Sequence, residues 1–240
     1  MAEALIWITG GSSGIGRAMV ETVPFSSATV INISRSPCPG VVNLSLDLSD
    51  PLSWGKVACS FEREMLSHDG STVILVHAAA TVQPVCFAED AEHLEAVRSV
   101  LLNSAVPQVL GSAFLSATRG RPNLKRVAIF LSSGAASHPY EGWSFYGAGK
   151  ASIEQWVRTT GAEQRMRGGA LLLAVAPGVV DTPMQQAARS AKAENFPQRE
   201  RFVELHATGQ LTDPNSVARR IWSLLYANYP SGSILDLRRL

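Results

Sequence analysis

The feature that most limits the fold is a series of short, nearly uninterrupted apolar runs separated by helical patterns. Residues 4–9 (ALIWIT), 28–34 (ATVINIS), 41–46 (VVNLSL), 72–77 (TVILVH), 125–132 (KRVAIFLS) and 170–176 (ALLLAVA) read as strands, with a last short strand near 232–237. Helical patterns occupy the intervals: from the first turn to about Val23, then 52–67, 91–118, 144–167, 183–192, 198–207 and 214–228. Strands that are apolar on both faces and alternate with helices form a parallel sheet covered on both sides. The sequence thus predicts an α/β fold, one doubly wound parallel sheet of about seven strands. No repeat, low-complexity tract or linker divides the chain, so a single domain is expected over residues 1–240.

One interval is exceptional. A parallel crossover ordinarily needs a dozen or more residues, usually a helix. Between the second and third strands stand only Arg35-Ser36-Pro37-Cys38-Pro39-Gly40. Two prolines and a glycine cannot make a helix there, which predicts a bare loop crossover and one exposed flank of the sheet.

Composition removes several function classes. The net charge is +1, with 21 Lys+Arg against 20 Asp+Glu, so the basic footprint of a nucleic-acid binder is missing. The charged fraction is 17 %, below the roughly 25 % of ordinary soluble domains. Three separated cysteines without a CxxC argue against a disulfide framework or zinc site and fit a reduced, cytoplasmic setting. The five histidines show no metal-ligand spacing, so no metal is expected. No apolar run reads as a membrane span, and the N-terminus leads into a strand rather than a signal peptide.

Thr9-Gly10-Gly11-Ser12-Ser13-Gly14-Ile15-Gly16 follows the first strand and opens a helix. Glycines in such a turn let backbone N–H groups approach a pyrophosphate at the helix N-terminus. The alternative is a plain tight strand-to-helix turn. An acid about 20 residues further on would bond a ribose 2′-hydroxyl. No Asp or Glu occurs between Glu21 and Asp47; Arg35 ends the second strand instead. A guanidinium suits a 2′-phosphate, so the cofactor read here is NADP(H). Asp47 closes the third strand, where it either meets an adenine edge or caps the next segment.

Tyr146-Gly-Ala-Gly-Lys150 opens a helix. Residues i and i+4 share a face, so the ammonium can approach the phenol and draw its pKa down from about 10. That suits a general acid/base. With 4 Tyr and 4 Lys in 240 residues, the pattern is informative: about 0.07 chance matches are expected.

Together with Asp47-Leu48, Asn103, Ser132-Ser133 and Pro177-Gly-Val-Val-Asp-Thr182, these residues make the chain resemble the short-chain dehydrogenase/reductase family along nearly its whole length. The resemblance implies a Rossmann-type fold and assigns roles. Tyr146 would protonate a substrate carbonyl as hydride arrives from the nicotinamide. Lys150 would hold the ribose hydroxyls and tune Tyr146. Ser133, thirteen residues before the tyrosine, would bond the carbonyl oxygen. Asn103 would support a water leading to Lys150. Thr182 would hold the carboxamide, cap the helix that begins at Pro183, or both, with Pro177 and Val180 facing the nicotinamide. Where the family usually has Asn-Asn-Ala-Gly, this chain has His77-Ala78-Ala79-Ala80. Ala78 and Ala79 would still let the adenosine half pass, and His77 reads as a structural hydrogen-bonding group. The departure puts cofactor affinity and local order in question.

Within the family the chain resembles the sepiapterin reductases and related benzil reductases, through His138 to Lys150 and Ala176 to Gln186. That likeness implies reduction of an α-dicarbonyl or aromatic ketone. Tyr140, Trp143, Phe145, Pro177, Gly178 and Met184 would line the substrate pocket, and 183–207 would form a flap. Sepiapterin reductases carry an acid near the chain end that anchors the pterin; Asp236 is either that acid or a surface acid beside Arg238 and Arg239. The family associates through two long helices, here near 91–118 and 144–167, which implies a homodimer or homotetramer. Two other functions stay open. One is a reductase of another ketone, such as a secondary-metabolite or 3-oxoacyl group; the other is a non-catalytic NADP-binding regulatory protein.

Overall fold

The computed structural model describes residues 2–121 and 123–240. Seven parallel strands form one sheet in the order β3-β2-β1-β4-β5-β6-β7. They are β1 (Ala4–Thr9), β2 (Ala28–Ser34), β3 (Val42–Ser45), β4 (Thr72–His77), β5 (Lys125–Leu131), β6 (Leu171–Ala176) and β7 (Ser233–Asp236). The helices are α1 (Gly14–Glu21), α2 (Trp54–Ser67), α3 (His93–Val100), α4 (Val106–Ala117), α5 (Ser144–Met166), α6 (Pro183–Arg189), α7 (Arg199–Ala207) and α8 (Pro214–Ser223). The chain winds outward from β1 to β3, then returns to β4. The β1/β4 boundary is therefore the switch point where such sheets open a ligand crevice.

The period-2 alternation of β1 divides the core. Ala4, Ile6 and Ile8 face α1 and α8, against Met19, Ile221 and Trp222. Leu5 and Trp7 face α2, α4 and α5. Trp7 and Phe61 pack edge-to-face at 5.0 Å, and Phe114 meets Phe61 the same way at 5.8 Å. Offset and edge-on aromatic contacts of this kind add to area burial.

The second crossover is a bare loop, and β3 at the sheet edge is mostly exposed. Side chains supply the order that a helix would have given. Asn32 Nδ2 donates to Asn43 Oδ1 at 2.8 Å and to the Ser36 carbonyl at 3.2 Å. Asn43 then grips the Cys38 backbone in both directions, at 2.7 and 2.9 Å.

The expected helix at 91–118 is continuous from His93 to Ala117 but contains a π turn, Leu101–Ala105. A single turn of this kind leaves the regular carbonyl ladder locally unpaired and recurs at functional sites. Here it lies against α5. A Cβ on Gly149 would stand 2.6 Å from Asn103 Cβ, so only glycine lets the helices approach this closely. This helix holds an eighteen-residue window of mean hydropathy 1.4, and its apolar residues are divided between the core and the surface. One face is spent on the core through Val106, Leu110 and Phe114, while Leu94, Val97, Val100 and Val109 remain exposed.

Candidate active site

A cleft of about 790 Å³ runs along the C-terminal ends of the strands, within the range of ligand pockets. It gathers residues from ten separate stretches of the chain. Gly10, Ser12, Ser13, Gly14, Ile15 and Gly16 form one end, joined by Arg35, Asp47 and Leu48. Ala78 and Ala79 lie at the floor, and Ser133, Tyr146 and Lys150 lie at the centre. Pro177, Gly178, Val180, Thr182 and Met184 close the far wall with Tyr140 and Trp143.

The glycine-rich end fits a dinucleotide. A Cβ on Gly16 would lie 2.2 Å from the Gly10 carbonyl oxygen, so the turn closes only around glycine. Ser13 begins α1 without a side-chain cap, which leaves first-turn amides open to an anion. Arg35 is exposed at the rim. Asp47 forms a turn of its own, accepting from Ser49 N at 2.9 Å and Ser49 Oγ at 2.7 Å, while the cap of the next segment is Asp50, which accepts from Leu52 N. Partial burial pushes its carboxyl up, but the Ser49 bonds, helped by Arg35 and Arg98, hold it below the usual range. Arg98 lines the cleft as well; nothing in the sequence pattern marked it.

The unusual His77 segment is braced rather than loose. Thr9 Oγ1 accepts from the Ala78 and Ala79 amides, both at 3.1 Å, and lies 3.0 Å from His77 Nδ1. With its lone pairs facing two donors, the Thr9 hydroxyl gives its proton to Nδ1. The His77 proton therefore sits on Nε2, which is buried without a partner among the described residues. Burial, with the Lys150 charge in support, pushes this imidazole down to about 3. A second brace comes from Asn103. Its Oδ1 accepts from Thr81 N at 2.9 Å; its Nδ2 donates to the Thr81 carbonyl at 2.8 Å and to Ser99 Oγ at 3.1 Å. The Asn103 side chain is thus committed to the loop after β4. Its backbone carbonyl, at the π turn, is the group beside Gly149 on α5.

The two serines after β5 divide sharply. Ser132 Oγ donates to buried Glu154 at 2.8 Å. Ser133 starts a short turn, accepts from Ala135 N at 3.2 Å and lines the cleft. Lys150 Nζ donates to the Leu131 carbonyl at 2.7 Å and stands 5.6 Å from the Tyr146 ring centre. The expected lowering of the phenol pKa is not found. Burial pushes Tyr146 above 10, and the Ser133 hydroxyl pulls it only part of the way back. The ammonium lies over the ring and is bonded to a carbonyl, and burial lowers Lys150 to about 8.

The far wall is aromatic. Trp143 stacks on Phe196 at 4.6 Å and meets Tyr146 edge-on at 5.4 Å, with Phe202 also 5.4 Å from Trp143. Phe196 and Phe202 come from the 183–207 segment; two aromatics in an otherwise polar stretch were the available signal. Phe145, expected in the pocket, is not among the lining residues: it sits one residue, about 100° of helix, from Tyr146. Thr182 caps α6, accepting from Gln185 N at 3.3 Å, and also lines the cleft. Asp236 lies outside the cleft, held by Arg238 through contacts of 2.9 and 2.6 Å. The sequence left its role open; in the structure it is a neutralised acid.

Residues 4–193 match the family model of the short chain dehydrogenases. This chain belongs to that family. It is 32 % identical to the benzil reductase ((S)-benzoin forming) of Bacillus cereus, over 96 % of this chain and 97 % of that protein. It is 29 % identical to the sepiapterin reductase of Xenopus tropicalis, over 98 % and 97 %. The crystal structure of the KRED1-Pglu enzyme superposes with a TM-score of 0.82 at 25 % identity, covering 96 % of this chain and 99 % of that one. As a short-chain dehydrogenase it is an oxidoreductase of the CH–OH/C=O group, in a family that uses a nicotinamide dinucleotide.

Proposed function

We propose that this short-chain dehydrogenase is an NADPH-dependent carbonyl reductase of α-dicarbonyls or flat aromatic ketones. One observation carries the reading. Two residues lining the same cleft as Ser133 and Tyr146 carry buried donors with no partner among the described residues, Trp143 Nε1 and Gln185 Nε2. Gln185 Oε1 is taken by Arg189, so the amide must present its N–H groups to something else. Unpartnered buried donors are costly; the second oxygen of a vicinal dicarbonyl is an acceptor of the right kind. The names of the benzil and sepiapterin reductase relatives support the same substrate class.

Gly10 to Gly16, Leu48, Ala78, Ala79, Pro177, Val180 and Thr182 would hold the dinucleotide, with Arg35 at the 2′-phosphate. Bound there, NADPH supplies the hydride. Tyr146, kept protonated by burial, donates its proton to the carbonyl oxygen. Ser133 donates a second hydrogen bond to that oxygen and orients the carbonyl. Lys150, fixed by the Leu131 carbonyl, would hold the ribose, and it places a positive charge over the phenol ring that stabilises the phenolate left by proton transfer. The Asn103 carbonyl leads a water to Lys150. Residues 183–207 act as a flap that excludes water when aromatic groups from both sides close on the substrate. Assembly as a homodimer or homotetramer, through the exposed Leu94, Val97, Val100 and Val109 stripe and α5, belongs to the same proposal.

The test is a panel of benzil, a pterin diketone, a 3-oxoacyl thioester and a simple aryl ketone, each with NADPH and NADH. Turnover of a dicarbonyl with NADPH is expected to lead the panel. A preference for NADH, or for the 3-oxoacyl thioester, overturns the proposal.

A further inference from the structure

A second pocket, of about 560 Å³, opens off the catalytic cleft. Gly134, Tyr140 and Arg238 are common to both walls. Gly134 follows Ser133 directly, so the shared wall begins one residue from the reacting centre. The remaining wall brings Arg201 from α7, Asp236 from β7, and Arg239 beyond it.

Three guanidinium groups therefore face a single carboxylate. That carboxylate is engaged: Arg238 Nε lies 2.9 Å from Oδ1, Arg238 Nη2 lies 2.6 Å from Oδ2, and the Arg238 amide adds 3.0 Å to Oδ1. Arg239 contributes a looser contact at 3.9 Å. Arg201 forms no ion pair among the described residues. The pocket thus keeps an excess of positive charge. Arg238 is held rigidly at its mouth, with Nη1 free of protein partners among the described residues. A guanidinium fixed in this way is suited to a planar anion.

The position separates this pocket from the dinucleotide end. β7 lies four strands from β1 in the sheet order, roughly 19 Å at ordinary strand spacing. It lies only two strands from β5, whose C-terminal end leads into Ser133, or roughly 10 Å. One aromatic ring bearing an acid group bridges that shorter reach.

We propose that this pocket receives an anionic substituent, such as a carboxylate, on the ketone reduced in the cleft. The inference rests on the cleft being the ketone site. It goes further by making the substrate an acid-bearing aromatic dicarbonyl rather than a neutral one. It also reverses what an anchoring acid would select: with Asp236 neutralised, an amino-bearing head group finds no free carboxylate.

The experiment compares equilibrium binding of 4-carboxybenzil and benzil to the NADP⁺-loaded protein by tryptophan fluorescence, since Trp143 lines the cleft. NADPH oxidation by both compounds is followed alongside. The carboxylate is expected to bind about tenfold more tightly at low salt, the lower end for charge-assisted hydrogen bonds at a half-exposed site. In 0.5 M salt, roughly a 4–5 Å Debye length, that preference should shrink toward unity. Arg201→Gln combined with Arg239→Gln should remove most of the preference, while Arg201→Lys, which keeps the charge, retains part of it. Equal binding of the two compounds by the unaltered protein, or a preference unchanged in the double variant, overturns the assignment. A carboxylate preference without turnover of either compound overturns the reductase reading and leaves the pocket assignment standing.

Discussion

Acid is expected to destabilise this protein through His77 in particular. The ring is fully buried, accepts a proton from Thr9 at Nδ1 and stands near the Lys150 ammonium. A second proton on the ring would oppose the Thr9 hydroxyl and place two cations close together in a dry site. The folded pKa is about 3 against 6.5 for a free imidazole. Between those values the unfolded chain binds more protons, so stability is present above pH 6.5 and is lost as pH falls toward 3. Each pH unit in that window is worth about 1.4 kcal/mol, so the loss at pH 4.5 is about 2.7 kcal/mol. Carboxylates titrate at the low end of the same range, and buried His68 is lowered as well. The variant His77→Asn cannot titrate and isolates the term. Urea unfolding of both proteins at pH 7.5 and 4.5 should show the unaltered protein losing about 2–3 kcal/mol more than the variant. Equal losses would refute the assignment of a neutral, Nε2-protonated ring.

Three further expectations follow from the site. Lys150→Met should abolish turnover yet stabilise the fold. Burial holds this lysine at about 8, so its share of stability, present above pH 10.5, is lost as pH falls to 8; removing the charge recovers about 3 kcal/mol, less about 1–2 for the orphaned Leu131 carbonyl. Urea titration at pH 7 measures the net gain of about 1–2 kcal/mol. Arg35→Ala should raise KM for NADPH about tenfold and leave KM for NADH unchanged, as loss of one exposed guanidinium–phosphate contact requires. Gln185→Leu should lower kcat/KM for benzil about tenfold more than for acetophenone, because only the dicarbonyl offers a second acceptor to the buried amide.

The strands, the glycine-rich turn and the Tyr146/Lys150 spacing were legible because each depends on local pattern. An apolar run such as TVILVH is a buried strand wherever it lies, and i,i+4 geometry is fixed by the helix itself. The bare crossover was legible from two prolines and a glycine, but its Asn32–Asn43 clasp was not, since that joins residues on different strands. The Thr81–Asn103 brace spans 22 residues and depends on a π turn that no spacing announces. The direction of the phenol's pKa shift is not legible in the sequence, because residue spacing gives distance along a helix and not depth. Burial outweighs the nearby cation once the ammonium is bound to a carbonyl. Asp236 was ambiguous in sequence for the same reason: only the fold shows which of its neighbours takes its oxygens.

The proposed proton donor to a carbonyl reduced by NADPH is Tyr146. Tyr146→Phe removes one oxygen and keeps the ring that packs on Trp143, so NADPH binding should persist with an unchanged Kd. The most direct measurement is kcat/KM for benzil in this variant beside the unaltered protein, with NADPH affinity recorded in parallel. A fall of at least about 10³-fold at constant NADPH affinity is expected. Turnover surviving within about tenfold would contradict it.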